Sequence, residues 1–431
     1  MPPAWTNWAG DQTCFPAEIV RPADRAGLAE TIARAAAAGR TVRVAGSGHS
    51  FTAAALTEGT LIRIEALAGV IDADPASGLV EIGAGTVLAD LNDELAGLGL
   101  AMENLGDIDR QTLAGAISTG THGTGVGLGN ISAQVEAIEL VCADGSVRRL
   151  GAEEADLLRA ARVGIGALGA ISSVTLRCVP AFTLTRVDSL REREQVLDSF
   201  AELAAANDHF ELFTFPYAES ALVLERNRTE EPLRPRGRAA AFLNDLVLEN
   251  WALEALSATG KAVPRAIPAL SRLAARVASG SRTTDRSDRV FANQRRVRFT
   301  EMEYALPREH GPEAARRVIE WVRSNRYPVF FPIEMRVAAG DDAQLSPAHE
   351  RDTAYIAVHQ YRGMEWRPYF EAVEEIMDSY GGRPHWGKRH FQTAATLAPR
   401  YPAWPEFQKA RDQLDPTRVF TNPYVERVLG P

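Results

Sequence analysis

The run Thr41-Val42-Arg43-Val44 alternates polar and apolar residues and then enters Ala45-Gly46-Ser47-Gly48-His49-Ser50-Phe51. That pattern reads as a strand feeding a tight glycine-rich turn, with one histidine and two hydroxyls at its rim. Glycine lets backbone N–H groups approach a phosphate closely, and His49 sits where a neighbouring ring can be bonded. Alone the turn decides little, because G-x-G matches are common and a turn histidine is ordinarily just solvated. Two further blocks give it weight. One is a second glycine-rich segment, Leu113-Ala114-Gly115-Ala116-Ile117-Ser118-Thr119-Gly120-Thr121-His122-Gly123-Thr124-Gly125, and the other is the C-terminal His385-Trp386-Gly387-Lys388.

A chain of 431 residues suits two domains, each able to bury its own core. A net charge of −9 lacks the basic footprint of a nucleic-acid binder, so no nucleic-acid partner is expected. The amino terminus, Met1-Pro2-Pro3-Ala4-Trp5, shows no basic stretch followed by an apolar one, and no signal peptide is expected. The longest apolar run, 163–176, is broken by glycine and serine and falls short of the ~20 residues a bilayer span requires. Cys14, Cys142 and Cys178 are few and widely spaced; they read as reduced thiols of a cytoplasmic protein and offer no metal-ligand spacing.

Along the first 180 residues helical and strand patterns alternate. Asp24 caps a helix reaching about residue 38, with Leu28, Ile32 and Ala35 on one face and Gly39 as its stop. Strands are expected at 41–45, 60–64, 79–82 and 170–178, and a helix at 86–98. Segments 134–142 and 146–150 flank Ala143-Asp144-Gly145, a hairpin signal, and Pro180 marks an exit. Further on, helices are expected at 311–324 and 366–380 and strands at 329–337 and 354–361. Residues 261–300 hold ten basic side chains (Lys261, Arg265, Arg272, Arg276, Arg282, Arg286, Arg289, Arg295, Arg296, Arg298) against Asp285 and Asp288. Within them, 268–278 reads as a basic amphipathic helix carrying Leu270, Leu273 and Val277. Its plain reading is a solvated face; the sharper one is contact with the inner face of a membrane or an acidic electron-accepting partner.

The three blocks together resemble the vanillyl-alcohol-oxidase-type FAD-linked sugar-lactone oxidoreductases, the D-arabinono-1,4-lactone oxidase family, over nearly the whole chain. The most similar form looks like the bacterial L-gulono-1,4-lactone oxidases and dehydrogenases. The resemblance implies an α+β, two-domain PCMH/VAO-type fold: an FAD-binding domain at 1–180, an α+β substrate cap with an antiparallel sheet at 181–384, and a segment at 385–431 returning to the FAD domain. It implies that Ala45, Gly46, Ser47, Gly48, His49 and Ser50 wrap the FAD pyrophosphate, with His49 linked covalently to the flavin. Gly106, Asp107, Gly115, Ser118, Thr119, Gly120, Thr121, Gly123, Thr124, Ile171 and Lys388 are the other implied cofactor contacts. His122 reads as a packing or pyrophosphate-loop residue.

Ile333-Glu334-Met335-Arg336 reads as a strand, so Glu334 and Arg336 project to one face. By spacing alone that is an ordinary ion pair; the family's Glu-x-Arg pair, joined by Lys388, makes it catalytic. Glu334 would accept the proton of the substrate hydroxyl, Arg336 and Lys388 would supply a positive field, and His359 in Val358-His359-Gln360-Tyr361 would orient substrate. The implied reaction is oxidation of an aldono-1,4-lactone at C2 to a 2-keto lactone that tautomerises to an ascorbate-type ene-diol. An alditol oxidase and a quinone- or cytochrome-linked dehydrogenase are the alternatives. Gly106, in Glu103-Asn104-Leu105-Gly106-Asp107-Ile108, would leave a gap for O₂ near the flavin and favour hydrogen peroxide as product; otherwise it supplies a positive-φ turn. Gly164-Ile165-Gly166-Ala167-Leu168-Gly169 matches G-x-G-x-x-G, but it follows a helix and precedes a strand, the reverse of a dinucleotide-binding Rossmann turn.

Overall fold

Asp24 opens the first helix: its Oδ1 accepts the Gly27 N–H at 2.8 Å, and the helix runs Arg25–Ala37 with Leu28, Thr31, Ile32 and Ala35 buried. The hairpin signal at 143–145 forms as expected, between Val135–Val141 and Val147–Leu150. Asp144 Oδ1 accepts the Ser146 N–H at 2.9 Å, and Gly145 takes φ +82. The computed structural model describes residues 4–235, 253–277, 280–292 and 297–431.

Two small sheets organise the amino-terminal part. Glu18–Val20, Thr60–Arg63 and Val42–Ala45 form a parallel trio with Thr60–Arg63 at its centre. The second sheet is antiparallel and five-stranded, in the order Val147–Leu150, Val135–Val141, Ala170–Arg177, Leu79–Gly83, Val70–Asp74. Their apolar faces share one core with Leu28, Leu91 and Leu113, and this core also takes in Trp386, Leu397, Phe407, Tyr424 and Leu429. The C-terminal segment therefore packs with the first 180 residues.

An eight-stranded antiparallel sheet occupies the middle of the chain, in the order Ser281–Arg286, Thr183–Glu192, Ser220–Arg228, His209–Thr214, Ile333–Ala338, Thr353–Tyr361, Phe299–Pro307, Arg383–Pro384. Strand alternation gives its two faces different chemistry. Phe210, Leu212, Met302, Met335, Ile356 and Val358 form a core with the helices Gly311–Ser324 and Arg367–Asp378. On the first helix Ala314, Ala315, Val318, Ile319 and Val322 line the buried stripe, and each buried Val or Ile contributes roughly 1.5–3 kcal/mol. The opposite face carries His209, Glu211, Glu334, Arg336, Tyr355, His359, Glu301 and Glu303, all buried, and it faces the amino-terminal unit.

The expected strand 329–337 begins only at Ile333. Pro332 has no N–H for the ladder, so Val329, Phe330 and Phe331 are buried as a coil leading into the sheet. The basic helix forms over Ile267–Val277, with Ile267 buried and Leu273 exposed; Ala278, Arg295 and Arg296 lie outside the described residues. Ser281–Arg286 is the edge strand of the large sheet, and its cations are paired: Arg282 with Glu231 at 2.8 Å, and Arg286 with Asp93 at 2.9 Å. Among the described residues no helix is long and apolar enough to cross a membrane.

Arg43 ties the first unit together. Its guanidinium is buried and donates to the carbonyls of Ala54 (2.7 Å), Ile165 (2.8 Å), Gly166 (2.9 Å) and Phe420 (2.9 Å). Burial draws its pKa down to about 10, which leaves it charged at neutral pH. Arg43→Met strands four buried carbonyls, each costing ~1–3 kcal/mol when unpaired. Denaturant unfolding of the variant is expected to show a loss of about 3 kcal/mol or more.

Candidate active site

The strand Val42–Ala45 delivers the first glycine-rich turn into a cleft lined by both glycine-rich segments. Gly46 admits no side chain, since a Cβ there would lie 2.1 Å from Thr112 Oγ1. Gly48 has φ +73, and a Cβ on it would meet the Trp5 ring at 3.0 Å. The turn is clamped from behind: Trp8 N–H donates to Gly48 O at 2.8 Å and Asn7 Nδ2 to Ser50 O at 3.0 Å. Gly115, Ser118 and Thr119 form the facing wall, and Ile165, Gly166, Gly169 and Ile171 close the third side.

Among the described residues no carboxylate lines this cleft, Arg43 is its one guanidinium, and Thr112 Oγ1 is buried there without a partner. Small residues, free hydroxyls and the absence of acids fit a phosphate-bearing dinucleotide. His49 lies at the inner end, stacked on Trp8 with 5.3 Å between ring centroids. Burial, then Lys388, Arg298 and Arg110, push its pKa down to about 4, so at neutral pH the imidazole is uncharged and keeps a lone pair.

Past His49 the cleft continues between Trp8, Ile108 and Gln111 to His385, Gly387 and Lys388. The His-Trp-Gly-Lys turn is fixed from both units. Phe51 N–H donates to Gly387 O at 2.7 Å, Tyr424 Oη to Trp386 O at 3.0 Å, and Trp386 Nε1 to Leu345 O at 2.6 Å. Lys388 Nζ reaches Glu301 on the large sheet.

The polar sheet face stands as a wall behind the Lys388 end of the cleft, tied to it by Glu301 on Lys388 and by Arg336 on Asp107, which precedes the lining residue Ile108. Arg336 Nη2 lies 2.5 Å from Glu334 and 3.3 Å from Asp107, while its Nε and Nη2 reach Glu211 Oε1 at 3.1 and 2.8 Å. Glu211 also takes Arg226 at 2.7 Å. Burial alone would raise the pKa of Glu211; Arg336 and Arg226 overcome it and hold the carboxyl at about 2. Glu301 likewise falls to about 2 against its burial, through Lys388 and His359, whose Nε2 is 3.5 Å away. Glu303 accepts from His122 Nε2 at 3.0 Å, and the His122 ring stacks on Tyr355 at 3.5 Å.

The structure thus brings His49, Glu334, Arg336, His359 and Lys388 to one junction, with Asp107 bonded to Arg336. The two cations expected to supply a positive field arrive already paired with buried carboxylates. Gly120, Thr121, Gly123 and Thr124 lie beyond the cleft lining: Gly120 caps a helix at φ +76, Gly123 packs on Asn104, and Thr124 Oγ1 bonds the Phe210 carbonyl. Ala45 is a buried strand end. Gly106 has no positive φ, which removes the turn reading. A Cβ on it would sit 3.2 Å from His122 O and 3.6 Å from Thr121 Cγ2, so the space beside it is filled by the chain's own backbone rather than left as a gap.

Three carboxylates of this wall, Glu211, Glu301 and Glu303, escaped the sequence reading. Glu301-Met302-Glu303 carries the same two-residue alternation as Glu334-Met335-Arg336 and was legible by the same argument. The Gly164–Gly169 turn also belongs to the cleft, in the helix-to-strand setting that argued against a Rossmann site.

A family model described as "D-arabinono-1,4-lactone oxidase" matches residues 174–428, and one described as "FAD binding domain" matches 16–151. The chain belongs to the D-arabinono-1,4-lactone oxidase family. Its FAD-binding match contains both glycine-rich segments, and its lactone-oxidase match contains the eight-stranded sheet and the His-Trp-Gly-Lys turn. An L-gulono-1,4-lactone dehydrogenase of Mycobacterium tuberculosis is 51% identical over 431 residues, covering all of both chains. An L-gulonolactone oxidase of Mus musculus is 32% identical, covering 98% of this chain and 97% of its own. Among solved structures, a cholesterol oxidase from Brevibacterium sterolicum superposes with a TM-score of 0.82 at 18% identity, over 99% of this chain and 96% of that one, and so shares the fold.

Gly46→Ala is expected to lower the FAD content of the purified protein severalfold, because the new methyl meets Thr112 Oγ1 at 2.1 Å. The double variant Gly46→Ala/Thr112→Ala relieves that clash and should regain part of the content, measured as bound flavin per protein.

Proposed function

We propose that this chain oxidises an aldono-1,4-lactone of the L-gulono type at C2, using FAD held in the cleft and joined to His49. The observation that carries the proposal is the junction itself. A phosphate-fitting cleft runs past His49 to Lys388, and Lys388 and Asp107 tie that end to the sheet face carrying Glu334, Arg336 and His359. When bound, FAD supplies the two-electron acceptor for the C2–H bond.

The chain's own groups handle the rest. Glu334, beside Arg336, accepts the proton of the C2 hydroxyl as the carbonyl forms. Arg336, held by Glu211, Glu334 and Asp107, places a fixed positive charge where it can serve a substrate oxygen. His359 is buried with Nδ1 unpartnered, which equips it to fix a second hydroxyl. Lys388 completes the wall with a donor on the side of the glycine-rich turn. The product, a 2-keto lactone, tautomerises to an ascorbate-type ene-diol; the proposed place of the reaction is ascorbate-type biosynthesis in a cytoplasmic setting. A neutral imidazole in a rigid turn supports the covalent link, because attack on the flavin methyl needs the uncharged ring.

Oxygen as the final acceptor, giving hydrogen peroxide, is one reading. The position of Gly106 favours a second: the place its side chain would occupy is closed by His122 and Thr121, which supports an acceptor other than oxygen.

Acid-precipitated wild-type protein is expected to stay yellow, and His49→Ala to release its flavin while remaining folded; colour lost from the wild type sinks the covalent link. In anaerobic stopped-flow, L-gulono-1,4-lactone should reduce the flavin faster than xylitol does. Arg336→Ala and Lys388→Ala should each slow that step by ~10²–10³, the cost of one lost charge-stabilising donor. Rates at the wild-type level would remove those roles. Air admitted after reduction decides the acceptor: recovery of colour within seconds supports oxygen, and persistence for minutes supports the second reading.

A further inference from the structure

Only three of the chain's 47 basic residues are lysines, namely Lys261, Lys388 and Lys409. A chain that uses arginine almost everywhere thus sets a lysine at its candidate site. The two are not interchangeable: a guanidinium stays protonated at any working pH, whereas a buried ammonium titrates with its surroundings. Lys388 therefore depends on a partner that keeps it charged and aimed.

Glu301 has the geometry for that task. One carboxylate oxygen holds Lys388 Nζ, the other faces His359 Nε2 at 3.5 Å, and the side chain is 6% exposed. The turn carrying Lys388 is laced to the same strand on both sides. His385 N–H donates to Glu303 O at 3.0 Å and Arg389 N–H to Glu301 O at 2.9 Å, so the carboxylate and the ammonium share one frame. The Phe51 ring lies 5.4 Å from Nζ and limits the other rotamers. We propose that Glu301 is a positioning residue, which fixes the Lys388 ammonium in the cleft, keeps it protonated, and braces His359 with the same carboxylate. Its catalytic consequence rests on the functional reading above; its effect on Lys388 does not.

The groups around Lys388 are Glu301 and Glu303 from the sheet, Asp107 from the FAD-binding unit, His385 from its own turn, and His49 across the cleft. Burial works against the ammonium, and Glu301, followed by Glu303 and Asp107, outweighs it and holds the pKa above the ordinary lysine value. Without Glu301 the remaining acids are already committed, Glu303 to His122 at 3.0 Å and Asp107 to Arg336 at 3.3 Å.

The test uses FAD-loaded full-length wild type, Glu301→Gln and Glu301→Asp. Amine acetylation by acetic anhydride is followed across pH at the Lys388 peptide by mass spectrometry, with Lys261 and Lys409 as internal references. In Glu301→Gln the labelling midpoint of Lys388 should move to lower pH by about one unit or more, with the references unmoved. Flavin reduction by L-gulono-1,4-lactone should slow about tenfold or more with KM changing less than kcat, and its alkaline limb should move down with the midpoint. Glu301→Asp keeps the charge and should recover part of each effect; it also serves if the neutral variant fails to fold. A Lys388 midpoint at the wild-type position in Glu301→Gln overturns the proposal, as does a shifted midpoint with an unchanged rate and pH profile. A wild-type chain that no lactone reduces would instead overturn the functional reading, leaving the labelling midpoints to decide the link between Glu301 and Lys388.

Discussion

Buried polar pairs, one an ion pair and one a histidine–carboxylate hydrogen bond, join one strand of the large sheet to two segments that pack in the amino-terminal unit and hold this molecule in its working form. Glu301 takes Lys388 from the returning C-terminal segment, and Glu303 takes His122 from the second glycine-rich segment. Each charge costs several kcal/mol to remove from water, and that cost is offset only when its partners are in place. Such a junction tolerates no half-assembled state: removing one member strands another, at about 3–5 kcal/mol. Rigid placement of the side chains follows from this, since none of them can relax toward solvent.

The same junction divides the cleft into two chemical halves. The half formed by the glycine-rich turns has no carboxylate in its lining among the described residues, and Arg43 holds four backbone carbonyls beside it. Beyond His49 the wall carries Asp107, Glu211, Glu301, Glu303 and Glu334 against Arg226, Arg336 and Lys388. A pyrophosphate is repelled by the second half and admitted by the first. A neutral, hydroxyl-rich ring finds in the second half acceptors and donors that already hold one another in place. The direction in which a dinucleotide would lie is thus encoded in where the chain puts its acids.

Much of this was legible in the residues because the signals are local. Asp24 as a cap, the Asp144-Gly145 hairpin and the helix Gly311–Ser324 follow from propensity, capping and turn chemistry acting within a few positions. The start of the strand at Ile333 needed the consequence of Pro332 to be carried through. The pairing of Arg336 with Glu211 was out of reach, because 125 residues separate them and only strand order brings them face to face. Gly106 shows the converse limit: its sequence context is suggestive, but the direction of its missing side chain is a property of tertiary packing.

The proposed function requires the cofactor to lie across the junction, with its ring between His49 and the sheet wall. A crystal structure of the FAD-loaded protein tests it most directly. The pyrophosphate is expected against the 46–50 turn and Thr112, the isoalloxazine ring bonded to His49, and its far edge within contact of Lys388. A ring bound away from His49, or one that leaves Lys388 and Arg336 out of reach, would contradict it.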